Sequence, residues 1–379
     1  MEPRSARDDR RLLRYLLSLG ASLLILAVLA SCAGPGSRFA REAPHPVDVR
    51  AAIDRALPAA VSDRAAWVAD IAGAFTRLGL PPTRENACAV VAVIEQESGF
   101  QVDPLIPGLG KLALRTLDER ASRAGVPLPL VRAALDLKSS NGRTYRERIA
   151  AAHTEKQLSD VYEDFIGRVP LGHRLFDSWN PIRTRGPMQV NVAFARQFEA
   201  IEPYPYHDFR RDLGEELFTR RASVYFGTAH LLDYQAPYDR YLYRFADYNA
   251  GQYASRNAAF QRAAGMVAGM PLTADGALLA HDTQAKDAGS TERVLLAIAP
   301  LLHLEEADIR AALEEGRSAS FERTRLYRRV FMLADRRSGR RLPRAILPEI
   351  RLEGPKIVRP LTTAWYARRV NGRFERCLR

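Results

Sequence analysis

From residue 61 to the C-terminus, apolar residues recur at three- and four-residue spacing and no long stretch alternates apolar with polar positions. That periodicity belongs to helices packed through one face. It predicts helices over about 61–78, 84–98, 128–137, 144–152, 156–167, 190–200, 210–235, 240–249, 255–267, 291–302, 306–315 and 320–335. Pro81-Pro82, Pro104, Pro107, Pro127, Pro129, Pro203, Pro205 and Pro271 punctuate them. A short hairpin is expected late, turning at Asn371-Gly372 between Tyr366–Val370 and Phe374. The expected class is all-α with a minor strand element. One helix differs from the rest. From Ala87 to Ile94 it is apolar on every side, so it must be buried, and it ends in Glu95, Gln96 and Glu97 before Gly99 stops it.

The N-terminus carries another pattern. Arg4, Arg7, Arg10, Arg11 and Arg14 precede an apolar run from Tyr15 to Ala30, broken only by Ser18, Gly20 and Ser22. The run suits a secretory leader and is short for a membrane span. Its end, Leu29-Ala30-Ser31-Cys32-Ala33-Gly34, resembles a bacterial lipobox, which implies cleavage before Cys32 and a diacylglycerol on its sulfur. Residues 32–60, with Gly34, Pro35, Gly36, Pro44 and Pro46, read as lipidated Cys plus flexible tether. No Asp follows Cys32, which by resemblance to Gram-negative sorting rules implies the periplasmic face of the outer membrane.

Charge narrows the partners. The whole chain carries a net charge of +12; the leader holds five arginines against three acids, so the remainder keeps +10. An exported basic protein suits anionic murein or a phospholipid surface, and no basic-aromatic motif for nucleic acid is present. The seven His are scattered, with no His-Glu-x-x-His and no Cys/His cluster, so neither metal nor cofactor is expected. Gly108-Leu109-Gly110-Lys111 lacks the rest of a phosphate loop and reads as a turn. Beyond Cys32 there are two cysteines, Cys88 and Cys377. In an oxidising compartment either they pair, or Cys88 is simply a small buried apolar residue.

The candidate chemistry sits at the end of the buried helix. Glu97 follows Val93 and Ile94 by four and three residues and shares their side. A carboxyl on an apolar face at a helix C-terminus meets desolvation and the negative dipole end, both of which raise its pKa and suit it to general acid work. Glu95, behind Val91 and Ala92, is not separated from Glu97 by helical geometry alone.

Four segments together point further. Glu97-Ser98-Gly99-Phe100 resembles the first motif of the soluble lytic transglycosylases and goose-type lysozymes, in which the Glu before Ser is the catalytic acid. Gly186-Pro187-Met188-Gln189-Val190 is similar to their Gly-Leu-Met-Gln motif, with Pro for Leu. Val224–Leu232 resembles the helix whose Gly, here Gly227, permits close packing. Phe245-Ala246-Asp247-Tyr248-Asn249-Ala250-Gly251 is similar to the Ala-x-Tyr-Asn-x-Gly motif. The resemblance implies an acid/base Glu97 that protonates the bond between N-acetylmuramic acid and N-acetylglucosamine and then closes a 1,6-anhydro ring through the sugar's C6 hydroxyl. It implies that the Tyr248 hydroxyl orients Glu97, that Ser98, Gln189 and the Met188 backbone line sugar subsites, and that Asn249 bonds near the acetamido group. Asp247 replaces a commonly apolar residue and is expected at the surface or as a hydrogen-bonding group. Most glycosidases need two carboxylates; apart from Asp247, no second acid stands in these motifs.

The likeness covers about 61–265 and departs from the pattern by an insertion of about 101–180, with Trp179 in it. That insertion is either a cleft wall or packing bulk. Residues 266–379 read as a helical accessory segment with Trp365 and Tyr366 as core anchors. Tyr234, Tyr238, Tyr241 and Tyr243 suit core or interface roles more than sugar stacking. Lipobox, spaced-out motifs and basic extension also resemble a bacterial lipoprotein family known only as a domain of unknown function. The alternatives to a transglycosylase are a lysozyme-type hydrolase and a non-catalytic murein-binding envelope lipoprotein.

Overall fold

A computed structural model describes residues 46–168, 180–206, 212–279, 289–352 and 359–379. Cys32, the leader, most of the expected tether and Trp179 lie outside them. Helices dominate the described residues, as the periodicity requires. In chain order they are α1 Pro46–Ala56, α2 Arg64–Arg77, α3 Arg84–Glu97, α4 Leu109–Arg123, α5 Leu128–Leu135, α6 Tyr145–Ala150, α7 Glu155–Gly167, α8 Val192–Glu199, α9 Leu213–Glu216, α10 Arg220–Leu232, α11 Tyr241–Ala250, α12 Ala254–Ala268, α13 Ser290–Ala297, α14 Ala299–Leu302, α15 Glu306–Glu314, α16 Arg325–Ser338 and α17 Thr363–Cys377. Two antiparallel strand pairs interrupt them. β1 (Thr184–Arg185) meets β2 (Val190–Asn191) with Thr184 opposite Asn191, and β3 (Arg351–Leu352) meets β4 (Leu361–Thr362) with Arg351 opposite Thr362.

Three expectations need correction. The stretch expected as tether to residue 60 contains α1, whose Ile53 is fully buried against α2 and α3. The helix α4 is absent from the expected elements: its sequence is polar on average, and it starts inside Gly108-Leu109-Gly110-Lys111, which reads as a turn. The hairpin at Asn371-Gly372 is absent: both residues sit inside α17. Its N-cap Thr362 accepts a hydrogen bond from the Trp365 N–H, and Thr363, Tyr366, Ala367, Val370 and Phe374 are buried at helical spacing. Packing of that face outweighs the roughly 1 kcal/mol by which an interior Gly disfavours a helix.

The packing of α17 also redraws the domain map. Its buried face joins the core formed by α2, α3, α10 and α11, so the last helix completes the motif-bearing core and is not an accessory element. A second core gathers α12 to α16, and two small clusters hold the insertion together around Leu109, Ala152 and Leu158, and around Leu135, Tyr145 and Val161. The helix α3 is buried from Ala87 to Ile94, started by the Thr83 side chain and stopped by Ser98, with Gly99 and Phe100 both left-handed beyond it.

Two glycines set the second motif against α10. A Cβ on Gly186, itself at φ +71°, would collide with the Leu217 carbonyl and the Ser223 side chain. One on Gly227 would overlap the Met188 side chain. Only Gly allows this approach, and Met188 is fully buried as a result.

Candidate functional site

Helices α3 and α17 run antiparallel and are joined at both ends. At one end Cys88 and Cys377 form a disulfide, which decides between the two readings of Cys88. At the other, the Tyr366 hydroxyl donates a hydrogen bond to the Glu97 carboxylate. Between them Arg373 and Arg376 approach Glu95 at 3.2 and 3.6 Å. The two acids that helical geometry alone could not separate are therefore different groups. Glu95 is ion-paired at the surface of the helix pair, whereas Glu97 faces Tyr366.

Glu97 keeps some exposed surface, yet desolvation dominates its carboxyl and raises its pKa from the ordinary 4.5 to about 7. The Tyr366 hydrogen bond opposes that rise, the negative Glu155 adds to it, and Arg373 opposes it. Burial and the nearby Glu97 push the Tyr366 hydroxyl well above its ordinary value, so it stays a donor. Tyr366→Phe removes the bond that favours the ionised carboxylate. The Glu97 pKa is then expected to rise further, read by carbon-13 NMR titration of the glutamate carboxyls; an unchanged or lower value would count against this geometry.

The orienting role expected of Tyr248 thus falls to Tyr366. The Tyr248 hydroxyl instead donates to the Met188 carbonyl at 2.6 Å, while the Met188 N–H donates to the Ser223 hydroxyl at 2.9 Å. Both backbone groups of Met188 are spent inside the protein, a correction to the subsite role expected of them. Tyr248 still lies near enough for Glu97 to raise its pKa. Behind it, His230 Nε2 meets the Tyr248 carbonyl at 3.2 Å, and burial draws the His230 pKa to about 4, so the imidazole is neutral at pH 7.

Gln189 is left-handed at φ +51° and its side chain is fully engaged. Its carbonyl accepts from the Thr184 hydroxyl at 2.8 Å, and its amide donates to Glu155 at 3.0 Å and to the Gly186 carbonyl at 3.3 Å. Glu155 is the first residue of α7, so the insertion delivers a carboxylate to the second motif and to the electrostatics of Glu97. Ser98 donates to the Ile94 carbonyl at 3.2 Å and ends α3. Asn249 is exposed at the end of α11, and its carbonyl accepts from the Thr363 hydroxyl at 2.7 Å, tying it to the start of α17.

Asp247 is fully buried, against the surface alternative, and is the hydrogen-bonding group the other alternative required. It accepts from the Tyr234 and Tyr238 hydroxyls at 3.1 and 2.7 Å and from the Tyr253 and Ser255 N–H groups at 3.0 and 2.7 Å. Tyr241 donates to Asn86 at 2.7 Å. These tyrosines serve the interior.

Tyr366, Glu155, Thr363 and His230 were not predicted. Only Tyr366 carried a signal, as an expected core anchor. Among the described residues no group of three or more His, Cys, Asp or Glu lies placed to hold a metal ion, and no helix is long and apolar enough to cross a membrane. A cavity of about 410 Å³ opens beside the start of α17, lined by Leu347, Pro348, Ile350, Thr362 and Arg368 among others; none of the predicted site residues lines it.

Comparison with known proteins adds a family. Residues 60–379 match the family described as "Protein of unknown function (DUF1615)". The chain is 47% identical over 358 residues to "Uncharacterized protein YaiW" of Escherichia coli (strain K12), an alignment covering 94% of this chain and 97% of that one. No solved structure matches.

Proposed function

This chain belongs to the DUF1615 family of proteins of unknown function, and on that premise we propose that it is a membrane-anchored lytic transglycosylase of murein. The observation that carries the reading is Glu97: a desolvated carboxyl with a pKa of about 7, hydrogen-bonded by Tyr366 and placed where the motif resemblance puts the acid. Near pH 7 such a group divides its time between acid and base forms, and the reaction needs both. Protonated Glu97 gives its proton to the glycosidic oxygen as the C1–O bond of N-acetylmuramic acid breaks. The carboxylate left behind takes the proton of the C6 hydroxyl, whose oxygen bonds C1 and closes the anhydro ring. The acid is regenerated, and no water is consumed. The lipid on Cys32 holds the protein at the periplasmic face of the outer membrane, and the net charge of +10 beyond the leader suits anionic murein.

The test is digestion of purified murein by the chain from Ala33 onward, with products read by mass spectrometry. Anhydro-ended muropeptides are expected. If no fragments appear and Glu97→Gln behaves like the parent, the reading fails, and a non-catalytic murein binder takes its place.

One observation favours a second reading, hydrolysis. Glu155 is a second carboxylate near Glu97 that no motif contained, and two carboxylates are what water-using glycosidases employ. If Glu155 activates water, the parent releases some reducing ends, and Glu155→Gln shifts the products toward anhydro ends. A product ratio that does not move would dismiss the hydrolase.

A further inference from the structure

The helix α5 is apolar on both sides, but only one side is covered. Val131 and Leu135 face inward, onto the small cluster with Tyr145 and Val161. Val126, Pro129, Leu130, Ala133 and Leu137 occupy the opposite face at i, i+3, i+4, i+7 and i+11, the first and last just beyond the helix ends. All five are exposed: Val126 by 42%, Leu130 by 63% and Leu137 by 58%. A helix apolar all round belongs in an interior, and an exposed apolar face with a polar rim marks a contact surface. Here the rim is basic. Arg123, Arg132 and Lys138 are exposed around the stripe, while the nearby acid Asp136 is held by Arg146 at 2.8 Å. Leu105, exposed by 72%, is a further exposed apolar residue of the same insertion.

We propose that this face of α5 docks on an anionic phospholipid surface, with Val126, Leu130 and Leu137 entering the headgroup boundary and Arg123, Arg132 and Lys138 meeting the phosphates. Aliphatic residues flanked by Arg and Lys are the composition of an interfacial helix, and the rim charges complement anionic headgroups. The inference rests on the reading of Cys32 as the lipid anchor. Between Cys32 and Pro46 lie 13 residues of sequence, a chain length that spans at most roughly 45 Å, so a lipid on Cys32 would limit the distance from the bilayer to the start of α1.

The experiment uses unlipidated protein, the chain from Ala33 onward, so that it reads the α5 face apart from the anchor. Cosedimentation with vesicles of phosphatidylglycerol and phosphatidylethanolamine is compared with pure phosphatidylcholine. The expected result is binding to the anionic vesicles that weakens in high salt and falls at least tenfold in Leu130→Asp/Leu137→Asp. Both positions are exposed, so folding is unaffected, as circular dichroism will check. No binding by the parent protein, or equal binding by the double variant, overturns the proposal. So does a concentration-dependent dimer abolished by the same substitutions, which assigns the face to a second copy. Whether Cys32 carries lipid is read separately, from the mass of the mature N-terminus, so failure of the anchor reading is distinguishable.

Discussion

Glu97→Gln is expected to lower the rate of murein strand cleavage by about 10²–10⁴-fold, the range over which a positioned general acid contributes. Gln keeps the shape of Glu and still presents a carbonyl to the Tyr366 hydroxyl, but it has no proton of the right acidity for the leaving oxygen. The loss cannot be charged to unfolding. The folded Glu97 pKa, about 7, lies above the ordinary 4.5, so its contribution to stability is full below about pH 4.5 and lost as pH rises through 7. Gln carries no ionisation to lose, so above pH 7 the variant is expected to melt no lower than the parent. Glu95→Gln is the contrast. It breaks ion pairs that are partly exposed, worth under about 1 kcal/mol, and most of the rate should remain. Equal losses in the two variants would deny Glu97 its role.

The second large effect is expected from the disulfide. Cys88 and Cys377 close a loop spanning 289 residues of sequence, and losing such a bond typically costs about 2–5 kcal/mol, chiefly through the freed unfolded chain. The local consequence is more specific. Cys88 precedes Glu97 by nine residues on α3, and Tyr366 precedes Cys377 by eleven on α17, about 13 and 16 Å at the helical rise. The covalent clamp and the Glu97–Tyr366 hydrogen bond are the two ends of one antiparallel helix pair. In Cys88→Ser/Cys377→Ser the melting temperature should fall by several degrees, and with α17 loosened the Glu97 pKa should move as in Tyr366→Phe. A variant that melts lower yet keeps the parent's Glu97 titration would show that packing of Val370 and Phe374 alone holds the helix.

Much of the candidate site was legible because its signals are local. The all-round apolar run Ala87–Ile94 required a buried helix, and a buried helix delivering acids at its C-terminal end requires a desolvated carboxyl. Gly227 announced a close approach, found against Met188. The errors were also local in origin. Asn371-Gly372 is a strong turn signal, and it outweighed the helical spacing of Tyr366, Val370 and Phe374, although that spacing was present in the same residues. Asp247 was expected either at the surface or as a hydrogen-bonding group, and a linear reading could not choose between them because its partners are not its sequence neighbours. Its partners Tyr234, Tyr238 and Tyr253 come from the loops on either side of α11, and Ser255 from the start of α12.

What the sequence determined by itself, then, was the class of the fold, the burial of α3, and the pair of acids to consider, since helical periodicity and desolvation act within a few residues. Only the tertiary structure decided which acid faces Tyr366, that Cys88 meets Cys377, that Tyr248 holds the Met188 turn, and that the insertion brings Glu155 to Gln189. Each of these is a contact between residues 34 to 289 positions apart. A hydrogen bond or disulfide depends on positions within a few ångströms, which no periodicity encodes, because helix packing and loop paths set them over the whole chain.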